Sequence, residues 1–397
     1  MLFIFLLKTM SYTETNTTSY FSRLSNSFKW IFVWLLLIVW SVWLLWWNEW
    51  RTIDVSTWLN EAEEKAIEWK LDIVDPNLDN KIVFNAWEID VKKPLKDNTF
   101  WFTWNFVKIY RIVEKYQWKE NVSTRTEENL WWSKTTTKTY TYKKVWSDKD
   151  ISSDKFKEWW HINSKSWKYN SRTFLSTDVY LWKLRLSEPF VQMIDKKNIF
   201  NLSERNLKIA QETTKNNDLK LYNNYFFHWK WTPENPEIWD LRIHFEVVKP
   251  TIVSVIWLQK WNTIYPYTTK RDTEVALLEY WMKTKEQMFK NAQDNNKLVA
   301  WILRFIGLLL MYLWFKMIFD FIVVVAKVVP FIWTIVDFWT WIVSLILTLI
   351  IGWGVIIIAW FYVRPLLSIS LIVLISIIVR FLVYKNKLNN MTKKMNN

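Results

Sequence analysis

At 397 residues the chain has room for a membrane part and one or two soluble domains. Lys and Arg outnumber Asp and Glu by 52 to 38, a net +14, and there is no cysteine, which excludes disulfides, thiolate chemistry and cysteine metal sites. The basic excess gathers beside hydrophobic segments and in one Lys-rich stretch, which points to anionic lipid and membrane topology and away from nucleic acid.

Tryptophan and glycine counts are inverted. There are 33 Trp and 3 Gly, where average usage gives about 28 Gly in a chain of this length. Trp131-Trp132 stands between two strand-like polar runs where a Gly-Gly hairpin turn would fit, and Trp261 separates two more such runs. Trp30, Trp34, Trp40, Trp43, Trp46 and Trp47 recur through the first hydrophobic segment, although Trp normally concentrates at membrane interfaces. Read as glycine, positions 30 and 34 form a small-xxx-small helix-packing pair. The expectation is that most Trp here stand for glycine, from a gene whose UGA codons mean glycine.

In chain order, residues 1–29 form an N-terminal cytoplasmic segment. Residues 1–9 are too short to span a membrane, and Met10 is the expected start. Residues 30–47 carry no charge and are close to the roughly 20 residues a spanning helix needs. Arg23 and Lys29 before this span, against Glu49 and Asp54 after it, place the N-terminus in the cytoplasm. Residues 48–297 read as an extracytoplasmic, strand-rich α+β domain. It opens with a short polar helix at 56–68. Strands follow at 81–84, 100–110, 135–144, 241–248 and 252–258, with helices at 202–213 and 274–297, the second leading into the membrane.

A membrane cluster occupies 298–384, with about three spans at 298–319, 338–363 and 365–384. Arg304 and Lys316 in the first of these are expected to snorkel to its two ends. Residues 320–337 are expected to be interfacial or re-entrant, and Arg364-Pro365 reads as a tight hairpin. The tail, 385–397, is basic and therefore cytoplasmic. Lys316, Asp320, Lys327 and Asp337 are the charges of this region. Lys316 and Asp320 lie four apart, on one helix face. The favoured reading makes all four markers of the cytoplasmic interface; the other makes them part of a transport or channel-accessory pathway.

Catalytic chemistry finds little foothold. His161, His228 and His244 have no HExxH-type spacing. His228 and His244 would meet only across neighbouring strands. Reading Trp as Gly produces neither a nucleophile elbow nor a phosphate loop. Glu114 and Asp240 suit structural hydrogen bonds better than acid–base work. No catalytic residue, cofactor or metal site is expected, and a membrane-tethered hydrolase ranks last among the readings.

Several motifs resemble a known family. Trp47-Asn48-Glu49-Trp50-Arg51 follows the first span, with Trp50 where the family has glycine. Val113-Glu114-Lys115-Tyr116-Gln117-Trp118 comes next, then a Tyr-rich strand ending in Trp146 and the run Pro189-Phe190-Val191-Gln192. Phe226-Phe227-His228 precedes Pro236-Glu237-Ile238-Trp239-Asp240-Leu241-Arg242, with Trp239 at another glycine place. Trp360-Phe361-Tyr362-Val363-Arg364-Pro365 lies near the end. In order and in membrane topology, with small spacing differences in the last motif, these resemble the transmembrane protein 43 (LUMA) family, from about residue 20 to the last span. Trp47, Trp118, Trp146 and Trp360 match tryptophan in that family and are expected to be genuine. The resemblance implies a four-span, non-enzymatic protein that organises membrane assemblies and self-associates. Animal relatives lie in the endoplasmic reticulum and inner nuclear membrane; here a bacterial cytoplasmic membrane is expected, so lamina partners do not transfer. The expected partners are the lipid bilayer, further copies of the chain and other membrane proteins.

Overall fold

The structure is a computed structural model that describes residues 11–18, 31–69, 75–128, 133–228, 234–268, 274–326 and 332–363, together with scattered positions between 365 and 385. The side chains of 31–35, 320–326 and 332–337 are outside that description. So are Met10, Trp131-Trp132, Arg364, most of the tail, and the side chains of Asp320, Lys327 and Asp337.

Strand β1 (Ser11–Thr18) precedes helix α1 (Ile31–Lys65). Next come β2 (Ile67–Glu68), β3 (Ile82–Val91), the hairpin β4 (Leu95–Asp97) and β5 (Phe102–Trp104), and the long strands β6 (Lys108–Glu128) and β7 (Lys134–Ser147). The short strands β8 (Arg172–Leu175), β9 (Val179–Leu181) and β10 (Leu184–Leu186) lead to α2 (Glu188–Met193), β11 (Lys197–Ile199) and α3 (Glu204–Thr214). After β12 (Leu219–Tyr222), β13 (Tyr225–His228) and β14 (Leu241–Val248) come β15 (Ile252–Lys260), β16 (Thr263–Tyr265) and β17 (Tyr267–Thr268). Then follow β18 (Glu274–Val275), β19 (Leu277–Tyr280) and the helices α4 (Lys285–Ala326) and α5 (Ile332–Val363). The expected mixed α+β class holds.

The chain divides into two compact units, one of which holds nearly all the strands and the other the long helices. In the strand unit, β15 pairs with β16, β16 with β10, β10 with β9, β9 with β3, and β3 again with β15. That ring is a closed five-stranded barrel, and closure removes the edges at which a sheet recruits foreign strands. Alternation along the strands fills it with Val83, Ile89, Val179, Leu181, Leu184, Val253, Val255, Trp257 and Ile264, all buried. The second sheet runs β1-β7-β6-β14-β13-β12. Its core is aromatic: Phe100, Phe102, Phe226 and Phe245 sit with ring centroids 5.1–6.3 Å apart.

Three helix boundaries differ from those expected. The short helix at 56–68 is the end of α1, which passes from apolar into polar sequence without a break because no Gly or Pro interrupts 31–65. Residues 274–280, expected to be helical, are strands: β19 lies along β15, with Val253 opposite Tyr280 and Ile256 opposite Leu277. Helix α4 starts later, at a capping box. The Gln287 N–H donates to Thr284 Oγ1 and the Thr284 N–H donates to Gln287 Oε1. At its other end α4 runs on to Ala326 and α5 begins at Ile332, so both helices extend into 320–337.

Candidate functional site

In the helical unit, two helices are long and apolar enough to cross a membrane by length and composition, over Lys285–Phe319 and Phe338–Val363. Polar residues join them to α1. Glu49, with 3% of its side chain exposed, accepts two hydrogen bonds from Arg304, Nε to Oε1 at 2.6 Å and Nη2 to Oε2 at 2.8 Å. Trp360 Nε1 of α5 donates to Glu49 Oε2 at 2.6 Å. One carboxylate thus gathers side chains from all three helices. On either side of it α1 and α4 exchange bonds: Asn48 Nδ2 donates to the Ala300 carbonyl, and Asn296 Nδ2 donates to the Thr52 carbonyl. A turn further on, Gln293 Nε2 donates to Asn60 Oδ1 and Ser56 Oγ donates to Gln293 Oε1.

Apolar packing brings the helices close enough for these bonds. Leu45, Met311, Phe315 and Ile356 form the buried centre. A Cβ on Gly307 would fall 2.6 Å from Leu45 Cδ2, and one on Gly352 would fall 2.2 Å from Leu308 Cδ2, so a larger residue at either contact would force the facing leucine to move. Arg304, expected to snorkel, pairs its guanidinium with a buried carboxylate, because an ion pair in a low-dielectric setting is far better than a lone charge.

In the strand unit the motif residues gather on one sheet. Glu114 lies opposite Arg242 in the β6–β14 register, and Arg242 grips it through Nε (2.6 Å to Oε2) and Nη2 (3.0 Å to Oε1). The guanidinium is held between the rings of Trp146 (4.7 Å) and Tyr225 (4.8 Å). Tyr116 packs on Trp146 at 5.0 Å. The buried amide of Gln117 clamps a loop, donating to the Lys149 carbonyl and accepting from the Ile151 N–H. Trp118 meets His161 edge-on at 4.3 Å. Asp240 Oδ2 accepts from the Glu237 N–H at 2.7 Å, shaping the turn before β14.

This arrangement is poorly suited to proton transfer. The Glu114 carboxylate is saturated by a bidentate guanidinium, and burial pushes the imidazoles of His161, His228 and His244 below their ordinary value. His228 and His244 do not meet, since His228 lies opposite Leu241. Tyr142, which stacks on His161, is pushed up to about 12 by burial and by its bond to Glu120. Two buried cations of β6 are also held structurally: Arg111 donates to both oxygens of Asp97, and Lys115 reaches Asp150 Oδ1 and the Ser164 carbonyl. Arg304, Asn296 and Tyr225 were missed as site residues in the sequence; a lone Arg in an apolar run was the only signal for the first.

The clamp joins two of the sequence motifs. Asn48 and Glu49 come from the first and Trp360 from the last, with Arg304 between them. Trp47 and Arg51 flank that site on α1, and Pro365 follows α5. A family model described as transmembrane protein 43 matches residues 115–365. Transmembrane protein 43 of Rattus norvegicus is 25% identical over 313 residues, 76% of each chain. The Homo sapiens protein is 24% identical over 306 residues, 74% of each. The Drosophila melanogaster homologue is 25% identical over 274 residues, 68% of this chain and 70% of its own. No solved structure matches.

Proposed function

Since the chain belongs to the transmembrane protein 43 family and is a membrane protein, we propose that it is a non-enzymatic organiser of membrane assemblies, binding other membrane proteins or further copies of itself through its strand domain. The observation that carries this reading is the arm formed by β6 and β7. Pairing of β6 with β14 ends at Lys115, opposite Leu241. The strand then continues for thirteen residues to Glu128, about 44 Å at the usual rise per residue. Residues 122–127 are exposed in succession, on both faces of the ribbon. Residues 116–118 pack on the loop that Gln117 clamps and on His161; the two-sided polar ribbon beyond them covers no core, so its length contributes little to folding and much to reach. Its outer edge also takes a further strand: β1 lies on β7, where Glu14 accepts from Tyr140 Oη and pairs with Lys157 Nζ at 3.0 Å. An edge of this kind suits strand addition by an extended segment that bears a carboxylate.

A photo-crosslinking residue at Val122 or Thr124, introduced into the full chain in its membrane, tests the reading. Discrete adducts with a partner or a second copy are expected. A monomer band alone at both positions would remove the basis for the arm as a docking element.

The proposed topology places residues 1–29 and the tail in the cytoplasm of a bacterial cell and residues 48–297 outside. Arg23 and Lys29 on one side of the first span, and Glu49 and Asp54 on the other, support it. Part of the tryptophan content belongs to the same picture. The excess of Trp over Gly, and Trp at the family's glycine places 50 and 239, support a gene whose UGA codons are read as glycine in its source.

A further inference from the structure

Nine described non-glycine residues have left-handed backbones, and five of them are tryptophan: Trp101 (φ 55°), Trp182 (55°), Trp239 (85°), Trp261 (55°) and Trp281 (72°). Three others are Asn, which tolerates this region, and the last, Lys215, caps α3. No glycine of the chain has a positive φ. A bulky ring at positive φ collides with its own backbone, so one such residue is an outlier and five need a common cause.

The turns supply it. Leu181 pairs with Leu184, leaving Trp182-Lys183 as a two-residue hairpin loop. Lys260 pairs with Thr263, leaving Trp261-Asn262 as another. In both, the first loop residue is left-handed and the second is not. That is the type II′ pattern, whose first position is glycine's. Trp101 closes the four-residue loop between Asp97 and Phe102. The N–H of Trp239 donates to the Tyr116 carbonyl and that of Trp281 to the Ile252 carbonyl, each at 3.0 Å, so strand pairing dictates the backbone at both. Four of the side chains are largely outside the core: Trp101, Trp239, Trp261 and Trp281 are 56–83% exposed, whereas Trp182 lies against Trp69 at the core's margin.

Other tryptophans are engaged through their rings or their N–H in ways a glycine could not reproduce. Trp360 donates its Nε1–H to Glu49, Trp146 lies against the Arg242 guanidinium, and Trp118 packs on His161. We infer that the native residue is glycine at 101, 182, 239, 261 and 281 and tryptophan at 118, 146 and 360. This rests on the recoding reading above and deepens it, because a backbone angle assigns each position where composition assigns none. It also removes the exposed indoles of four turns from consideration as an aromatic docking surface.

Peptide mass spectrometry of the protein from its source membranes tests the assignment. Glycine at the five turns with tryptophan at the other three is expected. Tryptophan at the five turns with glycine at other Trp positions would overturn the assignment and leave recoding standing; tryptophan at every position would overturn both. In a host with the standard code, the full chain with all five turn residues changed to Gly should melt at a higher temperature than its parent, and Trp360→Gly at a lower one. A five-fold variant that melts no higher would count against the assignment.

Discussion

Glu49 and Arg304 face each other with 3% and 12% of their side chains exposed, so neither charge has water to turn to when the other is removed. Loss of one partner from a buried pair costs about 3–5 kcal/mol, whereas replacing both by neutral groups costs far less. Arg304→Met should therefore destabilise the helical unit by about 3–5 kcal/mol in a detergent-unfolding titration, and Glu49→Gln combined with Arg304→Met should recover much of the loss. Equal losses in the single and double variants would mean that the pair is not what holds the helices. The sequence made Asn48 and Glu49 visible as a motif. It could not reveal Arg304 as their partner, because a single charge in an apolar run reads alike whether it snorkels or pairs. The two residues are 255 positions apart, and only folding brings them together.

At the scale of elements, alternation was a sound guide where a strand has one buried face. The expected strand at 241–248 is β14, and its burial alternates from Leu241 to Phe245. It was a poor guide at 274–280, where a sequence with helical composition pairs as β18 with β17 and as β19 with the open edge of β15. The capping box of Thr284 and Gln287 was the local signal for the true helix start. Three histidines of the strand unit also set a pH dependence. His161, His228 and His244 are lowered chiefly by burial, so the unfolded chain binds protons near pH 6.5 that the folded one refuses. Their contribution is intact above about pH 6.5 and is lost as pH falls through that value. The urea midpoint of the full chain in detergent should drop between pH 7.5 and 5.5, and His161→Phe should flatten the drop. A midpoint that is level or rises on acidification would show that these imidazoles are not linked to folding.

For the whole molecule, β1 bears on how the chain threads its membrane. Strand β1 sits before α1 and pairs with β7, which comes after it. With residues 1–29 in the cytoplasm and residues 48–297 outside, a paired β1 and β7 would have to meet across hydrocarbon, where polar strands cannot lie, so the proposed topology and an intact β1–β7 pair exclude each other. The proposed topology takes the span and leaves the β7 edge open to a partner. The absence of cysteine allows a direct test. Thr17 Oγ1 and Thr135 Oγ1 are 3.2 Å apart, and a Thr17→Cys/Thr135→Cys chain in intact cells should form no disulfide between these sites. The thiol introduced at position 17 should then react with a membrane-impermeant reagent only after the membrane is opened. A disulfide formed in intact cells would place residues 11–18 beside the domain and overturn the proposed orientation.

The sequence by itself determined the membrane class, the two long apolar helices near the end, the strand-rich middle and the family, because these depend on local composition, periodicity and motif order. Its Trp and Gly counts raised the question of recoding. Only the tertiary structure decided which residues meet: the barrel closed through β3 and β15, Arg242 held between two rings, and Glu49 shared among three helices. Burial makes those contacts valuable, and burial is a property of the assembled fold. The left-handed turns belong to the same class, since strand pairing across each loop, and no neighbouring residue, sets the sign of φ.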